Sequence, residues 1–173
     1  MTAASYSKAS DRPITFQTLG TTILYGCIAG AIGVGVMTAG EKIEQLISSR
    51  PDSYVPAHTL ERLLGLPDKP DSERWGLNHV MHYGQGACAG ALRALMSLYG
   101  IRGPFANFIF TCMRLCVDQT LENLTGVGAP PWTWPVYEQW IDVLHKGVYA
   151  FATGYITDTW FPGQWVVIDG DKR

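Results

Sequence analysis

The sequence predicts an all-α fold: a four-span antiparallel transmembrane helical bundle with a long polar loop between spans one and two. Residues 18–40 contain no charged side chain, which favours a membrane-crossing helix. Three further stretches of helical length follow, separated by turns that contain Gly and Pro. Ionisable residues in these stretches recur three or four positions apart, the spacing of one helix face. No composition shift divides residues 1–173, so a single membrane domain is expected.

The first span, residues 18–40, is long enough to cross about 30 Å of hydrocarbon at roughly 1.5 Å per residue. Gly26 and Gly30 form a Gly-x-x-x-Gly motif, whose small residues let membrane helices approach closely. We therefore also expect a homo-oligomer through Gly-rich helix faces. A cleaved signal peptide is the competing interpretation, because Lys8 and Arg12 precede the apolar run. However, the run is longer than the usual apolar region of such a peptide, about 7 to 15 residues.

The other three spans are bounded by polar connections and prolines. The long loop, residues 50–75, is rich in Pro, Asp and Arg and contains a short helical pattern at residues 58–64. Pro104 suits the first turn of the third span. The prolines within residues 126–135 prevent that helix from continuing, because they lack an N–H donor. The predicted spans two to four are residues 76–99, 104–125 and 137–161.

Aromatic side chains are expected to mark both membrane surfaces, where Trp and Tyr are enriched. The residues of the first predicted belt are Trp75, Trp132, Trp134 and Trp140, and those of the second are Tyr99, Trp160 and Trp165. We expect both termini in the cytoplasm from the cations of the terminal side, which are Lys8, Arg12, Arg102, Lys172 and Arg173. The alternative architecture is a compact soluble bundle with half-buried charges.

The third span combines sufficient length with charged side chains. Its polar residues recur at steps of four, three, four and four, so they share one helix face. They are Asn107, Thr111, Arg114, Asp118 and Glu122. A charged side chain at membrane depth costs about 3 kcal/mol or more unless it faces a protein interior. The stripe therefore predicts a functional polar surface inside the bundle.

Antiparallel topology brings one end of every span to the same membrane surface as the long loop. At that end each span carries a pair of Glu, Asp or His residues three or four positions apart. The pairs are Glu41 and Glu44, His79 and His82, Asp118 and Glu122, and Asp142 and His145. We therefore expect four helices to converge on one polar site.

The candidate catalytic residues rank by whether the sequence offers each a local partner. The leading candidates lie one or two turns inside their helix ends without an obvious partner, and they are His82, Glu122 and His145. The next are Asp118, Glu41 and His79, and supporting roles are expected for Arg114, Gln85 and Asp142. Without a metal, this set is suited to general acid–base catalysis, because His titrates near neutrality.

A divalent metal is the candidate cofactor, because facing helices of a bundle can aim carboxylates and imidazoles inward from successive turns. The candidate ligands are His79, His82, Asp118, Glu122 and His145. The best-known geometry of this kind uses Glu-x-x-His motifs, and only Asp142-x-x-His145 approaches one here. The identity of any cofactor therefore stays unknown at this level.

Structural roles are also expected for several of these charges. Arg114 and Asp118 lie four residues apart and are placed to neutralise each other. Asp142 and Lys146 have the same spacing near a membrane surface, where a solvated pair is expected. Arg93 lies toward the opposite leaflet, where it would bind an anionic headgroup or extend to water.

Composition argues against two classes of site. The net charge is −2, and the cations are scattered singly, so we expect no nucleic-acid partner. The cysteines all lie in apolar segments without Cys-x-x-Cys spacing, and they are Cys27, Cys88, Cys112 and Cys116. We expect small buried hydrophobic side chains there rather than disulfides or a thiolate zinc site.

From Phe108 onward, the order of features resembles the YagU-type family of small multi-span inner-membrane proteins. An apolar third span is followed by a Gly-x-x-Pro-Pro-like loop, a Trp and an acidic residue before the last helix, and a His inside that helix. The residues concerned are Gly128-Ala129-Pro130-Pro131, Trp134, Glu138 and His145. The charged stripe of the third span and the lengths of the connections depart from the family pattern. The resemblance implies a membrane bundle and supplies no activity.

These patterns favour a membrane-embedded enzyme that performs acid–base or metal-assisted chemistry on a lipophilic small molecule entering from the lipid bilayer. The alternatives are a proton-coupled transporter or channel, and a non-catalytic membrane subunit. The titratable groups crowd toward one leaflet, whereas a transport pathway must cross both. The sequence therefore favours a site over a pathway.

Overall fold

A computed structural model describes residues 15–161, and every regular element in that range is helical. The predicted all-α class is therefore confirmed. Short 3-10 turns lie at Asp71–Glu73 and Pro131–Thr133. The α-helices are α1 (Phe16–Ser48), α2 (Val55–Leu64), α3 (Trp75–Leu98), α4 (Gly103–Leu124) and α5 (Val136–Trp160).

The four long helices α1, α3, α4 and α5 form an antiparallel bundle. Helix α1 packs on α3 and α5, α4 packs on α5, and the short α2 packs on α3. Gly26 in the first half of α1 meets Ala94 near the end of α3, while Gly30 meets Gly86 further along, so the two helices run in opposite directions. The predicted helical bundle is confirmed. Its first helix continues past the predicted span to Ser48.

Local signals account for the helix bounds. The Thr15 hydroxyl caps α1 by accepting the Thr18 N–H at 3.2 Å. The same helix ends where Ser49 adopts a left-handed conformation with φ of 58°. Pro56 and Pro104 lie in the first turns of α2 and α4, where a backbone N–H would have no acceptor within the helix. Helix α2 therefore begins three residues before the predicted pattern at 58–64.

One helix among residues 15–161, α1, is long and apolar enough to cross a membrane by length and composition. Helices α3, α4 and α5 are more polar than α1. Helix α1 is an integral wall of the bundle, because its glycines pack against α3 and α5. That packing disfavours its being a removable signal peptide.

The Gly-x-x-x-Gly motif of α1 packs against α3 of the same chain. A Cβ atom at Gly30 would lie 2.2 Å from the Gly86 carbonyl oxygen, and one at Gly90 would lie 2.3 Å from the Gly26 oxygen. The two backbones therefore approach as closely as small-residue packing allows. The predicted homo-oligomer stays a prediction, and it would have to use other faces, such as that of Gly84, where a Cβ meets nothing within 4 Å.

A small apolar core occupies the middle of the bundle. It is built from Val34, Met37, Phe110, Tyr149 and Ala150. The Tyr149 hydroxyl donates to the Gly86 carbonyl at 2.7 Å, which satisfies a phenol that would otherwise be buried without a partner. This layer separates two polar regions at opposite ends of the bundle.

The outer faces of the helices are apolar, and they carry most of the cysteines. Cys88, Cys112 and Cys116 are exposed, and Cys27 is half-buried. The expectation of buried cysteines is therefore wrong for three of the four, because their helices turn those positions outward rather than into the core. Phe105 is likewise exposed on the outside of α4.

The polar region at the end bearing the α3–α4 turn is a closed ion-pair network. Arg93 is fully buried, and its Nη2 donates to Asp158 Oδ2 at 2.9 Å and to Asn107 Oδ1 at 2.6 Å. Asp158 also accepts from the Ser97 hydroxyl and from the Gly103 N–H. The expectation that Arg93 binds a headgroup or extends to water is wrong, because Asp158 of α5 provides an internal partner.

The predicted aromatic belts fall at the two ends of the bundle. Trp75, Trp132 and Trp140 are exposed at the long-loop end. Trp134 is half-buried, and its indole N–H donates to the Ala129 carbonyl at 2.9 Å. Trp160 packs edge-on against Tyr25 at the other end. Trp165 of the second belt lies outside the described residues. So do four of the cations from which the location of the termini was predicted, which are Lys8, Arg12, Lys172 and Arg173.

Candidate functional site

A cavity of about 690 Å³ opens between the four long helices at the long-loop end. Side chains of α1, α3, α4 and α5 all line it, together with the long loop and the α4–α5 loop. Every candidate catalytic and supporting residue named from the sequence lies in its wall. Those residues are Glu41, His79, His82, Gln85, Arg114, Asp118, Glu122, Asp142 and His145.

Helix α4 supplies a buried ion pair to the cavity wall. Arg114 Nη2 donates to Asp118 Oδ2 at 2.9 Å, and both side chains are at least nine-tenths buried. The Arg114 guanidinium also lies over the Tyr149 ring, 5.2 Å from its centroid. The expected mutual neutralisation of Arg114 and Asp118 is therefore present. The polar stripe itself divides, because Asn107 joins Arg93 at the opposite end of the bundle.

Lys146 lies in the cavity wall, although the sequence predicted for it only a solvated pair with Asp142. Its Nζ lies 2.7 Å from Asp142 Oδ1 on the same helix and 3.4 Å from Asp118 Oδ2 on α4. The expected pair with Asp142 is present, but the expectation that it is solvated is wrong, because the Lys146 side chain is only 15% exposed. The sequence signal for this contact is the spacing of four residues between Asp142 and Lys146, which places both side chains on one face of the helix.

Glu122 has no ion-pair partner among the residues that the structure describes. It lies against the α4–α5 loop, whose Val127 and Gly128 N–H groups both donate to the Glu122 carbonyl oxygen. A Cβ at Gly128 would come 2.9 Å from the Glu122 Cβ and 3.2 Å from Oε2. Gly128 therefore lets the loop close against the carboxylate.

Each of the three histidines in the cavity wall has a different environment. The His79 ring lies 4.2 Å from the Trp75 ring, and its Nδ1 lies 2.8 Å from the Trp75 carbonyl, which makes Nδ1 the donor. His145 Nε2 is buried without a hydrogen-bond partner among the described residues. His82 is half-buried and packs edge-on against Tyr83. His82 and His145 thus keep ring nitrogens available for a ligand or a proton.

Arg50 closes the cavity on the α1 side and was also missed by the sequence analysis. Its Nη2 lies 2.9 Å from Glu44 Oε2 and 3.5 Å from Glu41 Oε1. Nearby, the Lys42 ammonium donates to Asp52, and this hydrogen bond lowers the pKa of the Asp52 carboxyl. Glu44 was expected at the shared polar site with Glu41, but it does not line the cavity and is held by Arg50 instead.

The long loop is anchored on α3 rather than hanging free. The Asn78 side chain accepts the Ala57 N–H at 3.0 Å and donates to the Ser53 carbonyl at 3.1 Å. Arg74 is buried against Glu61 of α2, with Nε 3.0 Å from both carboxylate oxygens. These bonds hold loop residues 50–56 as one rim of the cavity.

Asp71 extends this anchor on the outer side of α2. Arg74 Nη1 donates to Asp71 Oδ1 at 2.7 Å, and His58 Nε2 lies 3.2 Å from the same oxygen. The Arg74 hydrogen bond is the main reason that the pKa of the Asp71 carboxyl is held below its usual range.

The predicted metal ligands share the cavity wall without forming a ligand cluster. Within residues 15–161, no three His, Cys, Asp or Glu side chains are arranged to hold one metal ion. Asp118 Oδ2 is already held by Arg114 and Lys146, whose charges neutralise the carboxylate. The divalent-metal site therefore stays a prediction, without a converging set of three ligands among the described residues.

The cavity thus combines buried ion pairs with a carboxylate and two imidazoles that retain free atoms. Comparison of the chain with protein-family models, with curated proteins and with solved structures found no match.

Proposed function

We propose that this protein is a four-span integral membrane protein whose cavity binds the polar end of a lipophilic molecule and performs acid–base chemistry on it. The spans are α1, α3, α4 and α5. The observation that carries the proposal is the cavity itself, because all four helices contribute ionisable side chains to one cavity that opens at the long-loop end.

The surface of the bundle supports its placement in a bilayer. Large apolar side chains stand exposed along all four long helices, whereas soluble monomers rarely expose apolar patches larger than several hundred Å². Examples are Leu24, Ile28, Val80, Phe105, Phe108, Val117, Leu144 and Phe151. The charged residues of α4 point instead into the cavity, as charges at membrane depth generally do.

The charges of the cavity suggest a division of roles. Arg114, Asp118 and Lys146 hold one another in a fixed network that is suited to orient a substrate. Glu122 and His145 retain unpaired polar atoms, so they are placed to remove and return a proton, with His82 on the facing wall as a third group.

A transport pathway receives less support from the same geometry. The opposite end of the bundle is filled by Arg93, Asp158, Asn107 and Ser97, which satisfy one another. A solute would have to break this network to cross the second leaflet. A site that opens at one end therefore fits better than a path through both.

Native cysteines allow a direct test of membrane placement. Cys88, Cys112 and Cys116 are exposed at the middle of the outer helix faces. In lipid nanodiscs we expect no labelling by a charged, membrane-impermeant thiol reagent, and full labelling after denaturation. Ser72→Cys in the exposed loop, placed in a cysteine-free background, is the positive control and should react at once. Rapid labelling of the native cysteines in nanodiscs would favour the soluble bundle.

The chemistry is tested by comparing lipid extracts from cells that lack the protein with extracts from cells that carry it. We expect a species that accumulates without the protein, and that also accumulates with His82→Ala, Glu122→Gln or His145→Ala. Glu73→Gln, which makes the same charge change at an exposed residue outside the cavity, should restore the wild-type profile. Restoration by all three cavity variants would refute the catalytic site.

A further inference from the structure

The charges of the cavity indicate the chemical class of its ligand. We propose that the ligand carries an ammonium group, primary or substituted, on a lipophilic body. This inference rests on the proposed function and specifies which molecules that site accepts.

The first argument is an excess of carboxylates over cations. Arg114 and Lys146 are balanced by Asp118 and Asp142. On the α1 side, Arg50 pairs with Glu41 of the wall and also with Glu44, which lies outside it. Lys42 of the wall is paired with Asp52. Among residues 15–161, Glu122 has no Lys or Arg within ion-pair distance, because the nearby cations Arg114 and Lys146 pair with Asp118 and Asp142 instead.

Carboxylates that are taken out of water without a positive partner are costly. A bound cation would remove that cost, whereas an anionic ligand would have to displace Asp118 or Asp142 from the cations that they already hold. The charge balance therefore favours a positively charged ligand.

The second argument is independent of net charge and concerns unpaired acceptors. Asp118 is only 4% exposed, and its Oδ2 serves both Arg114 and Lys146 while its Oδ1 has no hydrogen-bond partner in the described part of the chain. Three further buried atoms of the wall are unpartnered in the described part of the chain: Thr38 Oγ1 and His145 Nε2, which can each accept a hydrogen bond, and the donor Arg114 Nε. An ammonium group with several N–H donors can donate to Asp118 Oδ1, Thr38 Oγ1 and His145 Nε2, which would otherwise stay buried without a hydrogen bond.

The third argument is the aromatic part of the wall. Trp75, Trp134, Tyr137 and Tyr54 all line the cavity. Aromatic faces attract ammonium ions through their quadrupoles and accept apolar substituents on nitrogen. A bare metal cation lacks this match, and the described side chains do not offer it three converging ligands.

The test uses three probes with the same alkyl chain: an alkyl amine, an alkyl alcohol and an alkyl phosphate. Each is titrated into the full-length protein in nanodiscs, and the bound complex is measured by native mass spectrometry. We expect the amine to bind at least about tenfold more tightly than the alcohol or the phosphate. Glu122→Gln should lower the amine affinity by about tenfold and leave the alcohol affinity unchanged. Glu73→Gln should change neither.

Two failures of this experiment are distinguishable. If the alcohol or the phosphate binds as tightly as the amine, or if Glu122→Gln leaves amine binding intact, the ammonium inference is overturned while the cavity remains a binding site. If none of the probes binds the wild type better than Gln85→Trp, which fills the cavity, the proposed function fails with it.

Discussion

Lys146 Nζ lies 3.4 Å from Asp118 Oδ2, and this contact joins α5 to α4 across the wall of the cavity. Both side chains are largely buried, and Asp142 and Arg114 complete the network. The charges that we propose to orient a ligand therefore also hold two helices together.

Removal of Lys146 should therefore destabilise the bundle. Lys146→Met leaves Asp118 and Asp142 short of a cation, and breaking a buried pair from one side costs about 3–5 kcal/mol. Thermal unfolding in detergent measures the change. Lys42→Met, which removes a half-exposed ion pair with Asp52, should cost no more than about 1 kcal/mol. Equal effects of the two substitutions would contradict the buried network.

The α1–α3 contact should tolerate no Cβ at its centre. Gly30→Ala places a methyl group 2.2 Å from the Gly86 oxygen, so the helices must separate, at a cost of about 1–3 kcal/mol. Gly84→Ala is the matched control on the opposing helix, where the new Cβ meets nothing within 4 Å. It should be neutral or stabilising by up to about 1 kcal/mol. The unfolding temperatures of the two variants, each compared with that of the wild type, measure the difference.

The Arg93 network should control the turn between α3 and α4. Asp158→Ala leaves the fully buried Arg93 without its carboxylate and frees the Gly103 N–H, with an expected loss of about 3–5 kcal/mol. Hydrogen exchange at residues 99–103 should rise with it. Arg102→Ala removes a more exposed contact to the same Asp158 and should have a small effect. Unchanged exchange in Asp158→Ala would refute the network's structural role.

The anchor of α2 should weaken in acid. Because Arg74 holds the pKa of Asp71 below its unfolded value, the contribution of Asp71 is complete above that unfolded value, about 3.9. It is lost as pH falls through the lower folded pKa. The charged neighbours that face Asp71 are Arg74, His58 and, through Arg74, Asp68.

Hydrogen exchange of residues 55–64, corrected for the intrinsic rate, measures this loss. Protection should be constant between about pH 5 and neutrality and should fall below about pH 4. Asp71→Asn should remove the part of this acid sensitivity that belongs to Asp71. A fall in protection as the pH is raised would contradict this prediction, because a carboxylate with a lowered pKa loses its contribution as the pH falls.

The sequence predicted the long helices and nine residues of the cavity wall, although it missed Arg50 and the buried position of Lys146. Charge-free length identified α1, and three- and four-residue spacing placed Asp118 and Glu122 on one face of α4. Antiparallel alternation then assigned those residues, with His82 and His145, to the same end of the bundle. These are local or topological properties, so no coordinates were needed for them.

Tertiary structure alone decided the contacts between different helices. Whether Arg93 meets lipid or Asp158, whether Lys146 meets water or Asp118, and whether Gly30 meets another chain or Gly86 all depend on how far each helix is rotated about its axis. Periodicity identifies a polar face without setting that rotation relative to a neighbour. The rotation follows from side-chain packing between helices distant in sequence, and it turned Cys112 outward while it buried Arg114.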